Sequence, residues 1–272
     1  INLAHGSFYM VGAYLTATFA PLLDSFVLGL LLALPLAALV GMAVEMVALR
    51  TLYRREHLDQ VLATFGLILF FNELVRIVWG PQPIFLSPPA WLAGTVEIIP
   101  GVPYPAFRLA IIGVGLAVAG FLYLLITRTR TGMLIRAGAS NREMLGALGV
   151  DVKRLYTLVF GLGAALAALA GAMAGPILAV QVGMGESVLI LTFVVIVIGG
   201  VGSVKGAFCA ALLVGIVDTL GRMFGPIILK SMMDPAAAAQ AGRTIAPMLV
   251  YILMAAVLFW RPAGLFGRTV AR

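Results

Sequence analysis

Charge is scarce in this sequence. Only 11% of its 272 residues are Asp, Glu, Lys or Arg, against 62% hydrophobic, and the mean hydropathy is +1.10. A soluble domain carries about a quarter charged residues. One soluble core cannot enclose this much apolar surface, so lipid must solvate part of it. Cysteine is nearly missing as well: Cys209 stands alone in an apolar run. That excludes a disulfide within one chain and argues against a cysteine-built zinc site. The two histidines lie far apart and give no metal-ligand spacing. No Ser-His-Asp set or paired carboxylates fall inside the apolar runs, so no catalytic constellation is visible. The twelve methionines read as packing. The net charge of +7 does not point to nucleic acid, because the basic residues gather at the ends of apolar runs, as membrane proteins require.

What is present is a succession of charge-free stretches. A bilayer core of about 30 Å takes roughly 20 helical residues. Runs 6–23, 25–44, 61–79, 109–127, 155–180, 187–204, 206–220 and 244–260 are each predicted to span, about eight segments in all. The fold class is therefore all-α, a polytopic integral membrane protein with a single transmembrane domain over 1–272. The chain opens at Ile1 rather than Met and has no signal-peptide pattern. A further piece is expected upstream.

One long polar segment interrupts the oil. Residues 128–154 carry Arg128, Arg130, Arg136, Arg142, Lys153 and Arg154 against only Glu143 and Asp151. Short cytoplasmic loops retain Lys and Arg. With eight crossings, the basic cluster Arg50, Arg54 and Arg55, the 128–154 loop, Lys205 and the tail Arg261, Arg268 and Arg272 all fall on one side. That side is read as cytoplasmic. The proline-rich loop 80–107 and the segment 231–242, a second loop with room for a short helix, then face outward. Within 128–154, residues 141–148 are predicted to form a short helix on the cytoplasmic face, presented to a soluble partner. The fifth run is dense in small residues from Gly161 to Gly175. These allow close backbone approach, so this helix is expected inside the bundle or at a subunit seam, and Pro176 is expected to kink or end it.

Several polar residues are candidates for function. Asn2 and His5 lead straight into an apolar run and are read either as a broken helix near a translocation path or as a helix cap. Glu73 and Arg76 sit i, i+3 and can form an intramembrane ion pair. Trp79, three residues on, favours an interfacial pair with Arg76 reaching towards headgroups. Gly199, Gly200 and Gly202 belong to a glycine-rich stretch that lacks the Gly-Lys-Ser/Thr ending of a nucleotide loop. They are read as a tight turn or an unwound segment lining a path. Glu186 and Asp218 are expected near the outer face.

Four motifs in order carry a family resemblance. They are Asn2-Leu3-Ala4-His5-Gly6 with Phe8-Tyr9-Met10 and Gly12-Ala13-Tyr14; Thr131-Gly132 with Leu148-Gly149-Val150; Gly199-Gly200-Val201-Gly202-Ser203; and Arg261-Pro262-Ala263-Gly264-Leu265-Phe266-Gly267. From Asn2 to Gly267 the chain resembles the LivH-type permeases of branched-chain amino acid ABC transporters. The resemblance implies an importer subunit in the bacterial inner membrane. It implies a second homologous permease subunit, two cytoplasmic ATPase subunits that bind the ATP, and a periplasmic substrate-binding protein. No cofactor and no nucleic acid partner is expected for this chain, only membrane lipid. The loop around Arg142, Glu143, Gly146 and Gly149 is implied to be the ATPase-coupling helix, although a literal Glu-Ala-Ala is replaced by Glu143-Met144-Leu145. Family members also carry a span before the Asn2 segment. In that case the intact N-terminus lies on the other side, or the Gly6 segment does not fully cross. Other readings are a urea or short-amide permease of the same architecture, and a stand-alone channel or secondary carrier.

Overall fold

The computed structural model describes residues 2–53, 55–230 and 234–267. Arg54, Arg268, Arg272 and the first part of the 231–242 segment lie outside the described residues. The chain forms two compact units, Ile1–Leu189 and Ile190–Arg272.

The first unit is built around helix α1 (His5–Leu22). Most of its side chains, from Gly6 to Tyr14, are enclosed by its neighbours. Helix α2 (Phe26–Val44) returns alongside it, capped at its start by the Ser25 hydroxyl, which accepts from Leu28 N–H. The helix then widens into one π turn, Glu45–Leu49, and closes with a short α3 (Arg50–Leu52). Helix α4 (His57–Trp79) crosses back and ends at Gly80, whose φ of 84° only glycine takes without strain. The segment that follows, read as an outer loop, is more ordered than its prolines suggest. It folds into an antiparallel hairpin, β1 (Thr95–Ile99) with β2 (Val102–Pro105). Helix α5 (Ala106–Arg128) leads into α6 (Arg130–Ser140) and α7 (Arg142–Ala147). The Asn141 side chain caps α7 by accepting from Met144 N–H, which fixes the short helix read in that place. Helix α8 (Val152–Leu178) then runs the length of the unit, with Asp151 as its cap.

Small residues explain why α1, α2 and α8 lie so close. Gly161, Ala164, Ala168, Gly171, Ala172 and Gly175 are buried on one face of α8. A methyl group added at Gly12 would meet Ala168, one at Gly41 would meet Ala164, and one at Gly171 would strike the Tyr9 carbonyl. In lipid no hydrophobic force drives helices together, so this close packing carries the association.

The two ends of the unit differ in charge. At one end Arg50 meets Thr157, and Arg142 meets Tyr53 and Tyr156, so the Arg50 corner and the 128–154 segment share an end. At the other, Trp79 donates to Thr18 Oγ1 (2.7 Å), and Ile84 and Val180 exchange two backbone hydrogen bonds of 2.8 Å.

The second unit holds most of α9 (Met184–Gly199), with α10 (Val204–Leu229) and α11 (Pro235–Trp260) packed side by side. Helix α11 already begins at Pro235, inside the segment read as an outer loop.

The chain is a helical polytopic membrane protein, but the span count differs from the expected eight. Among the described residues six helices are long and apolar enough to cross: Phe26–Leu52, Leu58–Trp79, Ala106–Arg128, Val152–Leu178, Val204–Leu229 and Gln240–Trp260. Helix α9 is too short, at 16 residues. Helix α1 is a real helix but is diluted by His5, Ser7, Tyr9, Tyr14, Thr16 and Thr18. Those side chains are tolerable because α1 is surrounded by protein rather than lipid.

Candidate functional site: a polar cleft at the start of α1

Helix α1 begins inside the first unit, not at its edge. The His5 ring packs edge-on against Phe160 (centroids 5.0 Å apart) and Phe8 (5.9 Å), and lies over Gly163 of α8. Gly163 is 11 residues into α8, roughly 16 Å from its start at 1.5 Å per residue. Asn2 folds back so that its Oδ1 accepts from Ala4 N–H (3.0 Å), while Ser7 and Phe8 N–H reach the Ala4 carbonyl. The turn ahead of α1 thus supplies partners that lipid could not.

The chain leaving α8 returns to this depth. Ala179 takes φ 62°, Val180 pairs with Ile84, and Gly183 N–H approaches Met10 Sδ (3.4 Å). Gly185 then lies flat against the Gly6 backbone, a contact that no side chain at either position would allow. The first turn of α9 is thereby set beside the first turn of α1, with α4 opposite.

A cleft opens between them, lined by Ser7, Met10, Ile68, Asn72, Glu186 and Leu189 among others. It has about 10 Å³ of room, enough for one water-sized group. Asn72 Nδ2 donates to Glu186 Oε1 at 2.5 Å. Ser7 is buried, and its Oγ has no hydrogen-bond partner. Asn72 lies seven positions before Trp79, the last residue of α4, so the cleft sits roughly 10 Å along the helix from that end. Further along the same α4 face, Gln60 and Thr64 join Asn2, Leu49, Leu52 and Tyr53 around a cavity of about 200 Å³. Gln60, Thr64, Ile68 and Asn72 recur every four residues, so one face of α4 links the cavity to the cleft.

The basic end carries a second cluster. Glu45, 1% exposed, accepts from Thr157 Oγ1 (2.6 Å) and from Arg50 Nη2 (3.2 Å), and Arg50 Nη2 also donates to Thr157 Oγ1 (2.8 Å). The π turn sets Glu45 inward at this point; such turns often mark functional sites. Arg142, first residue of α7, stacks on Tyr156 (4.9 Å) and Tyr53 (5.5 Å). Burial, and then the Glu45 carboxylate, push the Tyr53 phenol up to about 12. Leu145 is buried against Gly138, whereas Glu143, Gly146 and Gly149 face outward. Gly149 holds φ 81°.

The remaining candidates separate from these clusters. Glu73 and Arg76 pair at 2.9 Å with more than half of each side chain exposed, one to two turns from Trp79. In the second unit, Gly199, Gly200 and Gly202 form the tight turn between α9 and α10. Gly200 and Gly202 have φ 94° and 83°, and the tail is stitched on by Leu265 N–H to Ile198 O (2.8 Å) and Phe266 N–H to Gly199 O (3.1 Å). Sequence reading missed Ser7, Asn72, Glu45 and Tyr53. The signal in the sequence was a polar side chain inside an apolar run: Glu45 stands alone in its run, and Asn72 directly precedes Glu73.

A polytopic helical bundle with polar side chains gathered between its helices suits a membrane transporter. The chain belongs to the family described as branched-chain amino acid transport system / permease component, whose model matches residues 1–260. Among its relatives is the high-affinity branched-chain amino acid transport system permease protein BraD of Pseudomonas aeruginosa, 29% identical over 98% of this chain and 86% of the relative. The LivH permease of Escherichia coli is 27% identical with the same coverage. The xylose/arabinose import permease XylH of Sulfolobus acidocaldarius is 29% identical over 69% of this chain and 51% of its own. No solved structure matches.

Proposed function

We propose that this chain forms one half of the membrane path of an ATP-driven importer for branched-chain amino acids in the bacterial inner membrane. The observation that carries the reading is the cleft: polar groups collected where α1 and α9 both begin, in a chain whose BraD and LivH relatives match it almost end to end. Its partners are a second related permease subunit, two cytoplasmic ATPase subunits and a periplasmic binding protein that delivers the amino acid. The basic end faces the cytoplasm, where α7 meets the ATPase pair through Arg142, Glu143, Gly146 and Gly149.

Work enters at α7. Arg142 is held between Tyr53 and Tyr156, so a displacement of α7 is passed at once to α3 and α8. Tyr53 also lines the cavity beside Asn2. A push on α7 therefore reaches the wall of the path within one side chain, and the switch between outward and inward access starts there. Asn2 and His5 set the floor of α1 against which that wall moves.

The test is uptake by proteoliposomes holding the complete set of subunits. Labelled leucine should accumulate only with ATP inside and binding protein outside, and unlabelled isoleucine and valine should compete while urea and xylose do not. Equal uptake by this chain without the ATPases would identify a channel or carrier instead.

A further inference from the structure

We propose that Glu186, Asn72 and Ser7 form the subsite that receives the substrate's α-ammonium group. The inference rests on the branched-chain amino acid reading and deepens it.

Three independent observations converge on one cleft. Glu186 is a carboxylate at the rim of the cleft, exposed on the surface of this unit, and the four ion pairs among the described residues all involve other acids. In a chain of membrane helices an acid with no basic partner among the described residues marks a route for substrates or ions. Among the described residues the Glu186 carboxylate accepts from Asn72 Nδ2, and the Asn72 amide carries an acceptor oxygen besides that donor. Ser7 Oγ, 3% exposed, lines the same cleft with no partner of its own. A buried hydroxyl without a partner is an exception in folded proteins and needs a reason.

All three offer acceptor oxygens: one carboxylate, one amide carbonyl, one hydroxyl. A primary ammonium carries three donors and one positive charge. It matches the set in number and sign, and the room in the cleft is that of one water-sized group. A sugar hydroxyl would leave the Glu186 charge uncompensated, and a carboxylate would meet it with repulsion. The thioether and isobutyl groups of Met10 and Leu189 border the same space and offer an apolar surface to the substrate's side chain.

The experiment uses the complete transporter in nanodiscs without binding protein. Binding of labelled leucine is measured in competition with leucinamide, which keeps the ammonium, and 4-methylpentanoate, which lacks it. In the wild type, leucinamide should compete and 4-methylpentanoate should not. Glu186→Gln should weaken leucine binding roughly tenfold to a hundredfold, as loss of a charge-assisted contact does, and Ser7→Ala about threefold to tenfold. Co-purification of all subunits checks assembly. Wild-type binding in both variants would overturn the proposal, as would effective competition by 4-methylpentanoate. Loss of the second permease subunit from Glu186→Gln, with normal binding in Ser7→Ala, would make Glu186 a subunit contact and also overturn it. A wild-type complex that neither binds nor imports leucine would instead remove the functional reading itself.

Discussion

Replacing Thr157 by valine keeps the shape of the side chain and deletes one oxygen. That oxygen donates to Glu45 Oε2 at 2.6 Å and accepts from Arg50 Nη2 at 2.8 Å. A hydrogen bond to a charged group contributes about 1.5–3 kcal/mol. Measured contributions inside membranes are smaller, averaging about 0.6 kcal/mol, because the unfolded chain in lipid also finds partners. Two such bonds at a site where Glu45 is 1% exposed and Arg50 about one-third exposed should together contribute about 2 kcal/mol. The Glu45–Arg50 contact remains, so the charges are not stranded outright. Glu45 Oε1 and Arg50 Nε already lack partners, which leaves the network little capacity to absorb a further loss. Thr157→Ser retains the hydroxyl and should lie within about 0.5 kcal/mol of wild type, the ordinary range for a mild substitution. Reversible unfolding of the complex in mixed micelles, followed by the fluorescence of Trp79, would measure both. A Thr157→Val variant as stable as Thr157→Ser would refute the claim that this hydroxyl ties α2 to α8.

Four further outcomes follow from the geometry. Arg142→Ala should lower the ratio of leucine imported to ATP hydrolysed, with Arg142→Lys intermediate. Each aromatic contact is worth about 0.5–1 kcal/mol at an exposed site, and a double cycle with Tyr53→Ala reads the coupling directly. Gly171→Leu should abolish the folded bundle, since even one added carbon meets the Tyr9 carbonyl; normal yield and melting would contradict the α1–α8 packing. Gly149→Ala is strained by its φ of 81° and should destabilise by about 1 kcal/mol, whereas Gly146→Ala meets only Val152 at 3.9 Å and should fold normally, so a loss of coupling in Gly146→Trp reports contact with a partner. Glu73→Gln should leave stability within about 0.5 kcal/mol, because exposed pairs contribute little; a drop beyond 2 kcal/mol in melting analysis would place that pair in a buried interface.

The periodicity of the fifth apolar run exposed its role. Gly161, Ala164, Ala168, Gly171 and Gly175 recur every three or four residues, and that spacing alone puts them on one face for close packing. The basic loop was equally readable, since Asn141 is a strong cap and the residues after it form a helix. The number of spans was not. A hydropathy count treats 6–23 as a lipid-facing crossing, whereas α1 is enclosed by α2, α4 and α8 and its polar side chains have protein neighbours. The cleft was legible only in part. Asn2 and His5 mark the start of α1, but Ser7, Asn72 and Glu186 are far apart along the chain. Only the return of the backbone after Ala179 brings the last of them to the first.

That return has a mechanical consequence. The strand bridge at Val180 ties the path of the chain into α9 to Ile84 in the outer segment, and only a few residues separate it from Glu186. A displacement of the segment that holds Ile84 therefore pulls on a short tether, with the Glu186 carboxylate at its far end. A pull at that edge of the unit is in this way relayed to the cleft at Ser7 without passing through any helix.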